Sequence, residues 1–182
     1  MRGSCVWSWR AGLGGVLVAL LPACSPVLDW RDVPVADGMV LQFPCRPERV
    51  ERTVALAGRS VPARMLSCDA GGLGWSITLF DIGEPALLPA ALRHLRSQLA
   101  QHLRADEVEG RPPRQAGLTP QDEAWRMRLV GRDAAGQPVH AEVLIAARGL
   151  QALQIVALTR SDPVSRGSDR AAEFIDSLRP VR

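Results

Sequence analysis

Val139-His-Ala-Glu-Val-Leu-Ile-Ala-Ala147, then Arg148-Gly149, then Leu150-Gln-Ala-Leu-Gln-Ile-Val-Ala-Leu-Thr159 reads as two strands joined by a tight connection. The second strand is apolar on both faces, with Leu153, Ile155 and Ala157 on one side and Ala152, Val156 and Leu158 on the other. A strand of that kind sits in the middle of a sheet with a layer above it and a layer below. The rest of the fold is read outward from it.

Upstream, Ala124 to Val130 alternates Trp125, Met127 and Leu129 against Arg126 and Arg128, the pattern of a half-exposed strand. Gly131 to Pro138 forms the intervening hairpin loop. Earlier still come Met39–Phe43, stopped by Pro44, then Val50–Ala57, Ser60–Cys68 and Leu73–Ile82. Gly58-Arg59 supplies a two-residue turn with glycine first. Leu88, Leu92, Leu95, Leu99 and Leu103 recur at helical spacing and predict an amphipathic helix after Gly83-Glu84-Pro85. Residues 105–121 form the longest irregular stretch and the expected mobile loop. Ser161-Asp162-Pro163 opens a last helix whose Ala171, Phe174, Ile175 and Leu178 face the sheet, and Pro180 stops it. The expected class is α+β: a mostly antiparallel sheet of six to seven strands with two main helices packed on it, in one domain over 39–182.

That order of elements resembles the α/β/α sandwich of the PsbP family and its bacterial lipoprotein relatives. The matching features are the strand ending in Phe43-Pro44, the meander up to Trp75, the helix at 86–104, three further strands, and the closing Phe174-x-x-Ser177-Leu178 helix. Phe43-Pro-Cys-Arg-Pro-Glu48 and Ser67-Cys-Asp-Ala-Gly-Gly72 also resemble a group of small exported proteobacterial proteins in which the two cysteines look paired. The resemblance implies an accessory, assembly or chaperone-like role and transfers no catalytic residue.

The amino terminus reads as an address. Arg2 and Arg10 precede the uncharged run Leu13–Leu21, then Pro22-Ala23-Cys24, the order of an export signal. The run is too short for the roughly 20 residues that span a bilayer. Leu21-Pro22-Ala23-Cys24 resembles the lipobox of bacterial lipoproteins, in which the cysteine thiol carries a diacylglycerol and the leader is cut just before it. The resemblance implies a leader over 1–23 and a lipid on Cys24; residues 25–38, with two prolines, several charges and an exposed-looking Trp30, read as a tether that holds the domain off the membrane, so that 24–38 is a lipidated tether. With Ser25 after the cysteine, the resemblance also implies anchoring at the outer membrane, on the periplasmic side.

Composition agrees with a folding, exported chain of 182 residues: 47% hydrophobic and 23% charged. All 22 basic residues are arginine and the formal charge is +3. Loss of Arg2 and Arg10 with the leader brings the mature chain close to neutral. That removes the concentrated basic face that nucleic-acid binding needs. Of four cysteines, Cys5 leaves with the leader and Cys24 takes the lipid, so Cys45 and Cys68 remain as an even pair in an oxidising compartment. A bridge between them would be worth about 3.5 kcal/mol. The alternatives are a redox pair or half a metal site, and the separation is far from Cys-x-x-Cys.

Motifs of chemistry are sparse. There is no Gly-x-Ser-x-Gly, His-Glu-x-x-His or Gly-x-x-x-x-Gly-Lys. His94 and His102 subtend about 80° on a helix and do not converge on a metal. His102 is expected half-buried and His94 solvent-facing. His140 beside Glu142, or His102 beside Asp106, would be the place to seek acid–base chemistry. Arg46, Arg49 and Arg52, interleaved with Glu48 and Glu51, form either a solvated ion-pair face or a contact for an acidic partner. The favoured function is a non-catalytic binding, assembly or chaperone-like module, without cofactor or metal, whose partner is an envelope or periplasmic protein. An envelope hydrolase and a small-molecule or lipid carrier are the competing expectations.

Overall fold

The structure, a computed structural model, describes residues 28–160 and 167–181. The leader, Cys24 and the Ser161-Asp162-Pro163 helix start lie outside the described residues. Ten strands and two helices follow in the order β1 (Arg31–Pro34), β2 (Met39–Phe43), β3 (Glu48–Leu56), β4 (Arg59–Ala70), β5 (Leu73–Asp81), α1 (Leu88–His102), β6 (Asp106–Arg111), β7 (Trp125–Arg132), β8 (Pro138–Arg148), β9 (Gln151–Thr159), α2 (Gly167–Asp176) and β10 (Arg179–Pro180). Seven strands form one antiparallel sheet in the order β3-β4-β5-β9-β8-β7-β6. It is two meanders. The first runs β3 to β5; α1 then carries the chain to the far edge, and β6 to β9 walk back until β9 pairs with β5. A second sheet, β1-β2-β10, joins the two ends of the described chain.

The expected α/β/α sandwich with two main helices is therefore wrong. Strand accounts for 51% of the described residues and helix for 18%. The large sheet carries α1 on one face; its other face carries the small sheet together with the 10-residue α2. The error has one physical origin. Three strands lie in segments whose side chains carry no strand pattern, and their backbone groups are satisfied by pairing: β1 with β2, β6 with β7, and β10 with the distant β2.

The largest revision concerns residues 24–38, expected to be a tether. Residues 31–34 are β1, in register with β2 from Arg31 against Phe43 to Pro34 against Val40. Val35 and Ala36 are buried in the core. Trp30 lies edge-on against Trp75, with ring centroids 5.8 Å apart. The presumed loop 105–121 contains β6, which pairs with β7. Pro180, expected to stop the last helix, instead lies in β10, four residues beyond the end of α2 at Asp176. The first hairpin turns at Ala57-Gly58, one residue earlier than expected. Both residues have positive φ (49° and 80°), the backbone that matches strand twist in a two-residue loop.

The central-strand reading holds. β9 lies between β5 and β8, with Leu153, Ile155 and Ala157 facing one core and Ala152 facing the other. On the small-sheet side, Met39, Leu41 and Phe43 alternate inward from β2 and meet Trp75, Ile77, Phe174 and Ile175. Phe174 stacks edge-to-face with both Phe43 and Trp75, at 5.2 Å in each case. The Trp75 indole N–H donates to the Ala70 carbonyl at 3.0 Å. A ring so placed is worth about 3–5 kcal/mol against alanine. On the opposite side, Leu88, Leu92 and Leu95 of α1 pack on Phe80, Met127, Val143 and Ile145. The Cys45–Cys68 disulfide is present and ties the segment after β2 to β4, so it staples the small sheet to the large one.

Candidate functional site

The strand alternation of β3 puts Arg52, Val54 and Leu56 on the α1 side of the sheet, because successive side chains point to opposite faces. There they meet Phe80 of β5, Gln154 of β9 and one flank of α1. Together these residues line an open groove of about 620 Å³. Its floor is apolar, with Leu56, Phe80 and Leu95 buried. Its rim is polar: Arg52, Gln98, Gln101, His102 and Gln154. The side chains of these five make no hydrogen bond or ion pair within the described chain. Three amides, an imidazole and a guanidinium thus keep their donors and acceptors for something else.

The opposite side of the sheet holds a charged cluster. Arg126 and Glu142 are each only 7% exposed. Arg128 Nε donates to Glu142 Oε1 at 2.8 Å, and Arg126 Nη2 lies 4.0 Å from Glu142 Oε2. Arg126 also pairs with Asp176 at the end of α2 and reaches the Ala172 carbonyl. Arg128 pairs with Glu109 at 3.3 Å. The Glu142 carboxylate raises the Arg128 pKa above its ordinary value, mainly through that hydrogen bond. The adjoining cleft is only about 70 Å³. This cluster is a clamp that fastens α2 to the sheet and the edge strand β6 to β7, and its carboxylate is already committed.

That commitment decides the first of the acid–base pairs sought in the sequence. His140 and Glu142 share a face of β8, but Glu142 is held by Arg128, and His140 Nδ1 is buried without a hydrogen-bond partner. His102 and Asp106 are both exposed and make no bond to each other. The helix histidines reverse the expectation: His102 is exposed and lines the groove, whereas His94 is half-buried. Ser97 is spent on the His94 carbonyl, and Ser76 Oγ lies 3.4 Å from the Val156 carbonyl. Among the described residues no group of three or more His, Cys, Asp and Glu could hold a metal ion.

Arg46, Arg49 and Arg52 are all exposed, and neither they nor Glu48 and Glu51 form an ion pair within the described chain. The interleaved charges are not the intramolecular ion-pair face expected by default. Trp125 is half-buried, its indole N–H donating to Glu107 at 2.9 Å and its ring lying under the Arg96 guanidinium at 4.8 Å. The three rim glutamines escaped the sequence reading. A signal for them existed: Gln154 interrupts an otherwise apolar central strand, and Gln98 and Gln101 flank Leu95 and Leu99 on the helix. No protein-family model matches the chain, and no curated protein matches it.

Proposed function

We propose that this protein is a lipid-anchored, non-catalytic binding module on the periplasmic side of the outer membrane, which holds an envelope protein in the groove between α1 and β3. The observation that carries the reading is the groove's composition: an apolar floor ringed by side chains whose hydrogen-bonding capacity is unspent. Such a surface suits a segment of polypeptide, with an apolar side chain seated on Leu56 and Phe80 and backbone amides met by the glutamines. The Leu21–Cys24 motif supports anchoring, and the Cys45–Cys68 bridge supports an oxidising compartment.

The test is affinity capture from detergent-solubilised envelopes with the full chain. A specific partner should be retained by the wild type and by Arg111→Ala, on the far edge of the sheet, and lost with Gln98→Ala, Gln101→Ala and Gln154→Ala combined. Retention of the same proteins by the triple variant, or no specific partner at all, would refute the reading. Mass spectrometry of the mature amino terminus checks the anchor separately: an acyl mass should be present on the wild type and absent from Cys24→Ala.

A further inference from the structure

β3 is an edge strand of the large sheet. Its outer half reads Glu48-Arg49-Val50-Glu51-Arg52. Every one of these residues is exposed, Val50 to 42%. Among the described residues the four charges have no ion-pair partner, while most of the arginines on the other strands are paired to a carboxylate or to a backbone carbonyl. A free edge is ordinarily guarded by charges that repel a second strand. Here the charges are arranged the other way.

An antiparallel copy of this strand, related by a two-fold axis through Val50, places Glu48 opposite Arg52 and Arg49 opposite Glu51, each twice. Val50 meets itself on the axis. All four charge pairs are of opposite sign, which is the favourable cross-strand arrangement. The backbone permits the same register. In a two-residue hairpin the pair closing the loop, here Leu56 with Arg59, exchanges both backbone hydrogen bonds. The pairing with β4 runs without a register shift, so the even-numbered residues of β3 bond to β4. Arg49, Glu51 and Thr53 then turn their N–H and C=O groups to the open edge. The proposed axis sets Arg49 against Glu51, two residues of that outward set, so each pair can exchange both bonds. An axis displaced by half a residue would oppose inward groups to outward ones and make no ladder. An axis moved by a whole residue to Glu51 would set Glu48 against Val54 and Arg49 against Thr53, and it would leave Glu51 facing its own copy.

We infer that a second copy of this chain is the partner of this edge, and that β3 pairs with β3 across a two-fold axis at Val50 to make one continuous sheet through both copies. The partner is identified by the charge order of the strand together with the outward direction of its backbone groups. The groove stays on the α1 side of each copy and shares only Arg52 with this edge, and the pairing is argued from the strand itself, so the inference does not depend on the proposed function.

The experiment is disulfide trapping of the full chain in its own membranes. Val50→Cys sets two thiols on the axis, in a non-hydrogen-bonded pair with Cα atoms about 4.5 Å apart, within reach of a disulfide. Thr53→Cys is the control, since its two copies would stand about 20 Å apart along the paired strands. With added diamide, Val50→Cys should give a covalent dimer on a non-reducing gel, and Thr53→Cys should give no more than wild type. Adding Arg49→Glu to Val50→Cys turns two attractive pairs repulsive and should lower the dimer about tenfold. Adding Glu51→Arg as well should restore it. All these positions are exposed, so the variants should fold, and circular dichroism checks this. Equal trapping at Val50→Cys and Thr53→Cys, no effect of Arg49→Glu, or no recovery with the exchanged pair would each overturn the inference.

Discussion

Breaking the Cys45–Cys68 bridge should remove about 3.5 kcal/mol of stability. The figure follows from the loop the bridge closes, whose ends are 23 positions apart, through the loss of loop-closure entropy in the unfolded chain. The native state contributes little to the difference, because both residues are only half-buried. Against a typical total of about 5–15 kcal/mol, the loss is large without being fatal. With a urea dependence of about 1.5–2 kcal/mol per molar, the unfolding midpoint of Cys45→Ala with Cys68→Ala should fall by about 2 M. The same fall should follow reduction of the wild-type protein. Because the bridge joins the small sheet to the large one, the loss should also be local. Amide exchange at Leu41 and Phe43 of β2 should accelerate before exchange at Leu153 and Ile155 of β9. Equal midpoints for the bridged and bridgeless proteins would refute the entropy argument. Simultaneous acceleration of β2 and β9 would refute the claim that the bridge fastens one sheet to the other.

Two further outcomes are expected. Glu142→Leu leaves the buried Arg126 with Asp176 as its one carboxylate partner, beside the Ala172 carbonyl, and should destabilise by about 3 kcal/mol. Combining it with Arg126→Met should recover most of that loss, and a double-mutant cycle showing simple additivity would contradict the clamp. Asp32 is held below its ordinary pKa, first by the Arg179 hydrogen bond and then by that of Gln42. Its ionised form is thus the one favoured by folding. The contribution is complete above the free aspartate range near about 3.9 and is lost as the pH falls through the lower, folded value. The stability gap between wild type and Asp32→Asn, followed by urea midpoints across acidic pH, should close on acidification; a constant gap would rule this out.

The charged cluster and the groove lie on opposite faces of one sheet and answer to different physics. Arg126 and Glu142 are buried, so removing one partner exposes the full cost of an unpaired charge. Arg52, Gln98 and Gln101 are exposed and Gln154 is half-buried without a hydrogen bond to lose, so changing them should cost little stability. Mutations on the two faces can therefore be separated by assay: those of the clamp should lower the unfolding midpoint, and those of the groove should alter binding at an unchanged midpoint.

Local pattern sufficed for every element whose side chains repeat with a period. Met39–Phe43, the strands near 50–57, 60–68, 73–82, 124–130 and 139–159, and the leucine helix all stand close to where the sequence puts them. Each buries a regular stripe, and a stripe is a property of neighbouring residues. The double-sided burial of β9 was legible for the same reason. β1, β6 and β10 were not, since Arg31–Pro34, Asp106–Arg111 and Arg179–Pro180 carry charges or prolines and no alternation, and become strands because β2, β7 and, for β10, the distant β2 offer their backbones. The same limit hid the groove. Arg52, Gln98 and Gln154 are ordinary polar residues in sequence, and they converge only because the second meander brings β9 back beside β5 under α1. Sequence by itself determined periodicity, turns and the cysteine pair, all set by interactions along the chain. Tertiary structure alone decided strand order, the second sheet and the commitment of Glu142 to Arg128, because these depend on hydrogen bonds and charge pairs between segments that no local pattern specifies.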